Sequence, residues 1–255
     1  GDDDPAVIRR LGAEVHVINN LPDGVNINRD AGSTHLAGLQ RAVTEYGADL
    51  GIGLDGDADR CLAVDETGAV VDGDPIMAIC ALEMLGRGRL PKDTLVATVM
   101  SNLGLHRAVR KAGGKVVVTP VGDRYVLEEM LKNGYGLGGE QSGHIIFSEH
   151  TTTGDGLVTA LQLIAAQIRS GQRLSTLAAL LTRFPQVLVN VRVKRKEGWR
   201  ENAAIAAAIG EAQAALGEDG RVLVRPSGTE PLIRVMAAGP YPVALQAPLQ
   251  KLHPL

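Results

Sequence analysis

Asp55, Asp57 and Asp59 stand at alternating positions in Leu54-Asp55-Gly56-Asp57-Ala58-Asp59-Arg60, directly after the apolar run Leu50-Gly51-Ile52-Gly53-Leu54. Carboxylates this close repel one another unless something positive sits among them. A hard cation with oxygen ligands meets that need, and Mg²⁺ keeps room for waters and a phosphate. Arg60 adds a fixed positive charge beside the cluster. The stretch therefore predicts a divalent-metal site built to hold phosphate. Asp55-Gly56 alone reads equally as a turn between two strands; the three alternating Asp and the Arg favour metal. The spacing also touches the calcium EF-hand loop, with Glu66 at the twelfth place. Arg60 stands at the sixth place, where that loop needs Gly, and the flanks read as strands, which excludes it. A phosphatase with an aspartyl nucleophile also places Asp-x-Asp after a buried strand and stays as a second reading, although no partner Lys and acidic pair is evident.

Two further stretches carry chemistry. Gly139-Glu140-Gln141-Ser142-Gly143-His144 places an acid, an amide, a hydroxyl and an imidazole on a glycine-flexed turn. Those groups match the vicinal hydroxyls and amine of a sugar, and His144 is of a type that moves protons near neutral pH. A polar hairpin turn is the alternative. In Arg225-Pro226-Ser227-Gly228-Thr229-Glu230-Pro231, with Arg234 beyond, backbone N–H groups, two hydroxyls and two arginines form a candidate phosphate cradle. It is not a P-loop, since no Gly-Lys-Ser/Thr follows. Val121-Gly122-Asp123-Arg124 is a weaker element, a charged loop ahead of a helix. Gly134-x-Gly136-x-x-Gly139 matches the dinucleotide fingerprint only formally, because no helix follows it.

The elements that must position these groups read as follows. Helices are expected at Pro5 to Leu11, from Gly32-Ser33-Thr34-His35 through Tyr46 with Ser33 or Thr34 as N-cap, and at Ile76 to Leu85, Leu103 to Ala112, Arg124 to Lys132, Asp155 to Ser170, Leu174 to Leu181 and Asn202 to Leu216. Strands are expected at Glu14 to Ile18, Leu50 to Leu54, Cys61 to Val64, Ala69 to Asp72, Thr94 to Val99, Lys115 to Thr119, Tyr135 to Gly139, His144 to Phe147, Val187 to Val193, Arg221 to Arg225 and Leu232 to Met236. Cys61 to Val64 and Ala69 to Asp72 flank a hairpin turn. Strands alternating with helices argue for an α/β fold, with consecutive βαβ domains on a mixed, mainly parallel sheet. A small α+β domain closes it. Boundaries are expected near residues 73 and 183, giving segments 1–73, 74–183 and 184–255. The prolines at 240, 242, 248 and 254 forbid a regular closing helix.

Composition narrows the class. With 255 residues, 45% hydrophobic and 22% charged, the chain has ample material for cores. Aromatics at 3% and a net charge of -3 argue against nucleic acid as a partner. No apolar run approaches membrane-spanning length, so no membrane role is expected. Cys61 and Cys80 lie in apolar runs without metal-ligand spacing, which suits buried thiols in a reducing cytoplasm.

The order of these stretches resembles the α-D-phosphohexomutase superfamily. Its Asp-Gly-Asp-x-Asp-Arg magnesium loop, Gly-Glu-x-Ser-Gly-His sugar loop and Arg-Pro-Ser-Gly-Thr-Glu-Pro phosphate loop are all present in order, and Gly122-Asp123-Arg124 matches a further active-site loop. Within it the likeness is strongest to the branch that acts on hexosamine phosphates, carried by Gln141, by Asn26-Ile27-Asn28 with Gly32-Ser33-Thr34-His35, and by Thr151-Thr152-Thr153-Gly154-Asp155-Gly156. The resemblance implies that Asp55, Asp57 and Asp59 bind Mg²⁺. It places Arg60 beside a phosphoserine, and Arg124 and His144 in the catalytic machinery, His144 in proton transfer or phosphate contact. Glu140, Ser142, Gly122 and Asp123 would bind sugar; Arg225, Ser227, Gly228, Thr229 and Arg234 would hold its non-reacting phosphate. The implied activity interconverts glucosamine 6-phosphate and glucosamine 1-phosphate through a phosphoserine and a hexose bisphosphate intermediate. Another hexose specificity, or a non-catalytic sugar-phosphate binder, is the alternative. The family's Ser-His-Asn-Pro stretch is absent and the sequence starts at Gly1 rather than Met. The expectation is thus a C-terminal part of such an enzyme, inactive alone, with an end that departs from the family's pattern.

Overall fold

The computed structural model describes residues 4–239 except 22, 194–197, 199–200, 218–219 and 228–229. Its contacts divide into two units: residues up to Ser101 with Leu105–Thr182, and Asn102–Gly104 with the described residues from Arg183 onward.

The first unit opens with α1 (Asp4–Arg10). The alternating segment Glu14 to Ile18 is not a strand. Alternation sets which face is apolar, but a strand exists only with a ladder partner, and this segment pairs with none of the described residues. α2 (Ala37–Tyr46) starts later than expected; its N-cap is Leu36, with no side-chain cap. Ser33 is buried instead of capping. Gly47, left-handed, ends the helix with an N–H to the Val43 carbonyl.

β1 (Leu50–Leu54), β2 (Cys61–Asp65) and β3 (Val70–Val71) form an antiparallel meander, with Leu54 opposite Cys61. The aspartate loop thus closes a hairpin rather than ending a strand of an open parallel sheet; connections this short permit only antiparallel neighbours. At the β2–β3 turn, the Asp65 carboxylate accepts from Thr67 N–H, Thr67 Oγ1 and Ala69 N–H at 2.9, 2.6 and 3.0 Å.

α3 (Gly73–Gly86) is capped by Asp72, which accepts from Asp74 N–H at 3.1 Å. Gly73 through Ala81 are all buried, as befits a helix apolar on every side. β4 (Thr94–Thr98), β5 (Lys115–Thr119), β6 (Leu137–Gly139) and β7 (Ile145–Phe147) make a sheet in the order β5-β4-β6-β7. β4 is parallel to β5 and β6, and β7 is antiparallel to β6. This is the parallel part of the fold. α4 (Leu103–Lys111) leads into β5 and α5 (Asp123–Asn133) into β6. α6 (Gly156–Ser170) and α7 (Leu174–Ala178) complete the unit.

One core runs through it. Ala63 and Val71 of the meander join Ile76, Met77 and Cys80 of α3, Leu95 and Ala97 of β4, and Leu163 and Ala166 of α6. The other face of β4 gives Val96 to a cluster with Val126, Met130 and Ile146. A strand buried on both faces explains why β4 reads as a continuous apolar run rather than an alternation.

In the second unit β8 (Gln186–Arg192), β9 (Arg221–Pro226) and β10 (Leu232–Ala238) form an antiparallel sheet in the order β8-β10-β9. α8 (Ala203–Leu216) brings Ala208, Ile209 and Leu216 against Val191, Ile233, Val235 and Ala237. The expected α+β character holds. The expected absence of a closing helix after Ala238 falls outside the described residues. No described helix is long and apolar enough to cross a membrane.

Candidate metal and sugar-phosphate site

The loop between β1 and β2 brings one oxygen each of Asp55, Asp57 and Asp59 within 4.8 Å of one another. Arg60 folds back over them: its N–H donates to Asp55 Oδ1 at 3.1 Å, and its Nε lies 3.6 Å from Asp55 Oδ2 and 3.7 Å from Asp59 Oδ1. Asp59 Oδ1 is buried and makes no hydrogen bond among the described residues, Arg60 Nε being its ion-pair partner. The contrast with Asp65, whose carboxylate is filled by its own turn, is informative. Three carboxylates gathered this closely exceed the single charge of Arg60 and are expensive unless a further cation meets them. Three hard oxygen donors that meet within 4.8 Å of one another suit Mg²⁺.

Residues from β6–β7 and from the approach to α6 hold this loop. His144 is buried, and its Nδ1 lies 3.1 Å from Asp59 Oδ2 while its Nε2 accepts from Gly154 N–H at 3.0 Å. Cys61 N–H donates to the Gly143 carbonyl at 3.1 Å, and Gly156 N–H to the Ala58 carbonyl at 2.8 Å. Gly154 and Gly156 were not among the expected site residues. Their signal was the Thr-Thr-Thr-Gly-Asp-Gly run, whose place beside the aspartates no spacing rule reveals.

The 139–144 turn is braced within itself and against its neighbours. Glu140 N–H donates to the His144 carbonyl and Gly143 N–H to the Glu140 carbonyl, both at 3.0 Å. Gly122 N–H donates to Glu140 Oε1 at 2.9 Å, so the Gly122-Asp123-Arg124 loop meets the Glu140 turn directly. Ser142 Oγ lies 3.5 Å from Glu140 Oε2. Asp123 accepts from Arg124 N–H at 2.8 Å. Arg124 is exposed and donates from Nε to Glu128 Oε1 at 2.7 Å, and that hydrogen bond holds its guanidinium above the ordinary range.

Arg225, Ser227 and Arg234 belong to the second unit, where Arg225 and Arg234 sit opposite each other on β9 and β10. Ser227 is buried; its N–H donates to the Leu232 carbonyl at 2.8 Å and its Oγ accepts from Glu230 N–H at 3.3 Å. Arg234 reaches Glu230 Oε2 at 3.2 Å, and its Nε is buried without a partner among the described residues. Gly228 and Thr229 lie outside the described residues.

Two family models match the chain: the α/β/α domain III of phosphoglucomutase/phosphomannomutase over residues 72–184, and the C-terminal domain of the same family over residues 188–250. The chain belongs to the phosphoglucomutase/phosphomannomutase family. Among the members of this phosphohexomutase family, a phosphoglucosamine mutase of Symbiobacterium thermophilum is 63% identical over 235 residues, 92% of this chain and 53% of the relative. One from a Nocardioides species is 61% identical, over 91% of this chain and 52% of the relative. The chain thus spans about half the length of the curated relatives it matches. Among solved structures, a phosphoglucomutase/phosphomannomutase family protein of Burkholderia thailandensis superposes with a TM-score of 0.70 at 26% identity, over 86% of this chain and 49% of that one. The N-acetylphosphoglucosamine mutase of Aspergillus fumigatus, solved with GlcNAc-6P and magnesium, shares the fold with a TM-score of 0.77 at 23% identity, covering 100% of this chain and 59% of that one.

Proposed function

We propose that this chain supplies the metal, sugar and phosphate loops of a phosphoglucosamine mutase, an isomerase interconverting glucosamine 6-phosphate and glucosamine 1-phosphate. The observation that carries the reading is the aspartate triad, its oxygens within 4.8 Å of one another, tied through His144 to the Glu140 turn. The likeness to phosphoglucosamine mutases adds the substrate class. The Aspergillus enzyme was solved with GlcNAc-6P and magnesium, and its S69A variant with glucose 1,6-bisphosphate, which supports a hexosamine phosphate and a bisphosphate intermediate here.

In this reading Asp55, Asp57 and Asp59 hold Mg²⁺, which supplies positive charge to a transferring phosphoryl group. Arg60, beside the triad, adds a fixed charge for the same group. Glu140 accepts hydrogen bonds from sugar hydroxyls or the amine, and Gly122 N–H fixes its carboxylate for that task. Ser142 donates or accepts at a neighbouring hydroxyl. Asp123 and Arg124 line the same loop cluster. Arg225, Ser227, Gly228, Thr229 and Arg234 bind the phosphate that does not react, the forked guanidinium groups matching its oxygens. Holding one phosphate away from the reacting one lets either end of the sugar be presented, as an isomerisation between the two positions requires. The buried free thiols of Cys61 and Cys80 support a reducing cytoplasm as its setting.

Calorimetry with Mg²⁺ and glucosamine 6-phosphate tests the reading. The expected result is Mg²⁺-dependent binding of glucosamine 6-phosphate, tighter than that of glucose 6-phosphate or mannose 6-phosphate. No heat at millimolar ligand overturns it, and tighter binding of a neutral hexose phosphate moves the specificity to another branch. Because the sequence contains no Ser-His-Asn-Pro stretch, the 255 residues alone are expected to bind without turnover. Turnover by them alone would remove the need for that serine.

A further inference from the structure

The turn ahead of α6 reaches the aspartate loop with two backbone donors, Gly154 N–H to His144 Nε2 and Gly156 N–H to the Ala58 carbonyl. The turn is itself fixed, since Asp155 caps α6 by accepting from Val158 N–H at 2.9 Å. Both glycines are demanded by close approach. A Cβ at Gly154 would stand 2.5 to 2.6 Å from three atoms of the His144 ring, and one at Gly156 would stand 2.7 and 2.9 Å from the Arg60 and Ala58 carbonyl oxygens. A neutral imidazole donates at one nitrogen and accepts at the other. Since Nε2 accepts from Gly154, the ring hydrogen sits on Nδ1 and is donated to Asp59 Oδ2. One oxygen of Asp59 is thereby engaged, and Oδ1 faces Arg60 Nε at 3.7 Å without a hydrogen bond among the described residues.

We infer that the Gly154-Asp155-Gly156 turn is a positioning element for the metal ligand Asp59, acting through His144, and that His144 is a positioning residue rather than a proton carrier. This rests on the Mg²⁺ reading of the triad. Hydrogen bonds to a ligand carboxylate fix its orientation, and their loss typically lowers metal affinity by about 10- to 100-fold.

The test titrates Mn²⁺ alone into the chain, with free Mn²⁺ followed by electron paramagnetic resonance. His144→Asn keeps an amide donor near the Nδ1 position and lacks an atom at Nε2; His144→Gln does the reverse. The Asn variant, which keeps the donor to Asp59 but cuts the link to Gly154, is expected to lose about 3-fold, and the Gln variant, which removes the donor to Asp59 itself, about 10-fold or more. Gly154→Ala, which displaces the ring without removing a polar side chain, is expected to lose as much as the Gln variant. Thermal melts check that each variant folds, and Gly154→Ala decides if the Gln variant does not. A role confined to packing would weaken both His144 variants alike. That result, a reversed order, or an unchanged Gly154→Ala overturns the inference while leaving the metal reading intact. Failure of the unsubstituted chain to bind Mn²⁺ overturns both.

Discussion

Gly143→Ala measures how tightly the Glu140 turn is fitted against the strand that follows the aspartate loop. Gly143 has φ +95, and a Cβ there would lie 2.5 Å from the Cys61 carbonyl oxygen and 2.9 Å from Leu62 Cδ2. Left-handed backbone costs an L residue about 1–2 kcal/mol. The clash is with backbone, so the turn must move, at about 1–3 kcal/mol for overpacking. Movement also strains the hydrogen bond from Cys61 N–H to the Gly143 carbonyl, which contributes about 0.5–1.5 kcal/mol. The expected loss is therefore about 2–5 kcal/mol of stability, with the losses not strictly additive. Gly171→Ala is the control, because Gly171 has φ +64 with nothing within 4 Å of the added methyl. It should lose only the conformational part, about 1–2 kcal/mol. Urea unfolding followed by circular dichroism gives both numbers from the shift in midpoint at constant slope. Equal losses within about 0.5 kcal/mol would show that the turn yields freely, and would refute the close fit.

The two thiols predict an alkaline dependence. Burial pushes the Cys61 thiol up from 9.0 to about 12 and raises Cys80 too, with Glu83 and Cys61 adding to the latter. The folded chain therefore keeps protons that the unfolded chain releases; stability present in full below about pH 9 falls as pH rises toward 12, by about 1.4 kcal/mol per pH unit for each thiol. Urea unfolding at about pH 8 and about pH 10 checks this, and Cys61→Ala should flatten the slope. In the core, Leu163→Ala removes a side chain with no exposed surface and is expected to lower unfolding free energy by about 2–5 kcal/mol, read by the same urea method.

What the sequence disclosed follows from the range of the interactions involved. β1, the aspartate loop and β2 are neighbours along the chain, so apolar runs and turn residues suffice to read them. The first two turns of α3 and all of β4 were legible as apolar runs because both are buried on every side. The failures lie where local pattern competes with distant partners. Glu14 to Ile18 alternates like a strand but finds no ladder. Ser33 has the chemistry of an N-cap, yet burial takes it and the helix starts at Ala37. The site divides in the same way. The carboxylates of Asp55, Asp57 and Asp59 could be grouped by spacing, but the meeting of Asp59 with His144 spans 85 residues. Only the fold brings Gly154 to the imidazole and Gly122 to Glu140.

That separation of ranges orders how the site assembles. Hairpin pairing gathers three negative charges at small loop-closure entropy. The clasp from His144, Gly154 and Gly156 must close a far longer stretch of chain, and contacts of such separation form slowly. The same asymmetry governs partial opening. Fraying the first turn of α6 would release Ala58 and His144 together while the β1–β2 ladder stays paired, so grip on a cation can be lost in a local fluctuation far smaller than unfolding. Amide exchange at Gly154 and Gly156, set beside that of Leu62 and Val64, whose N–H groups face β1 in the ladder, reports this difference directly.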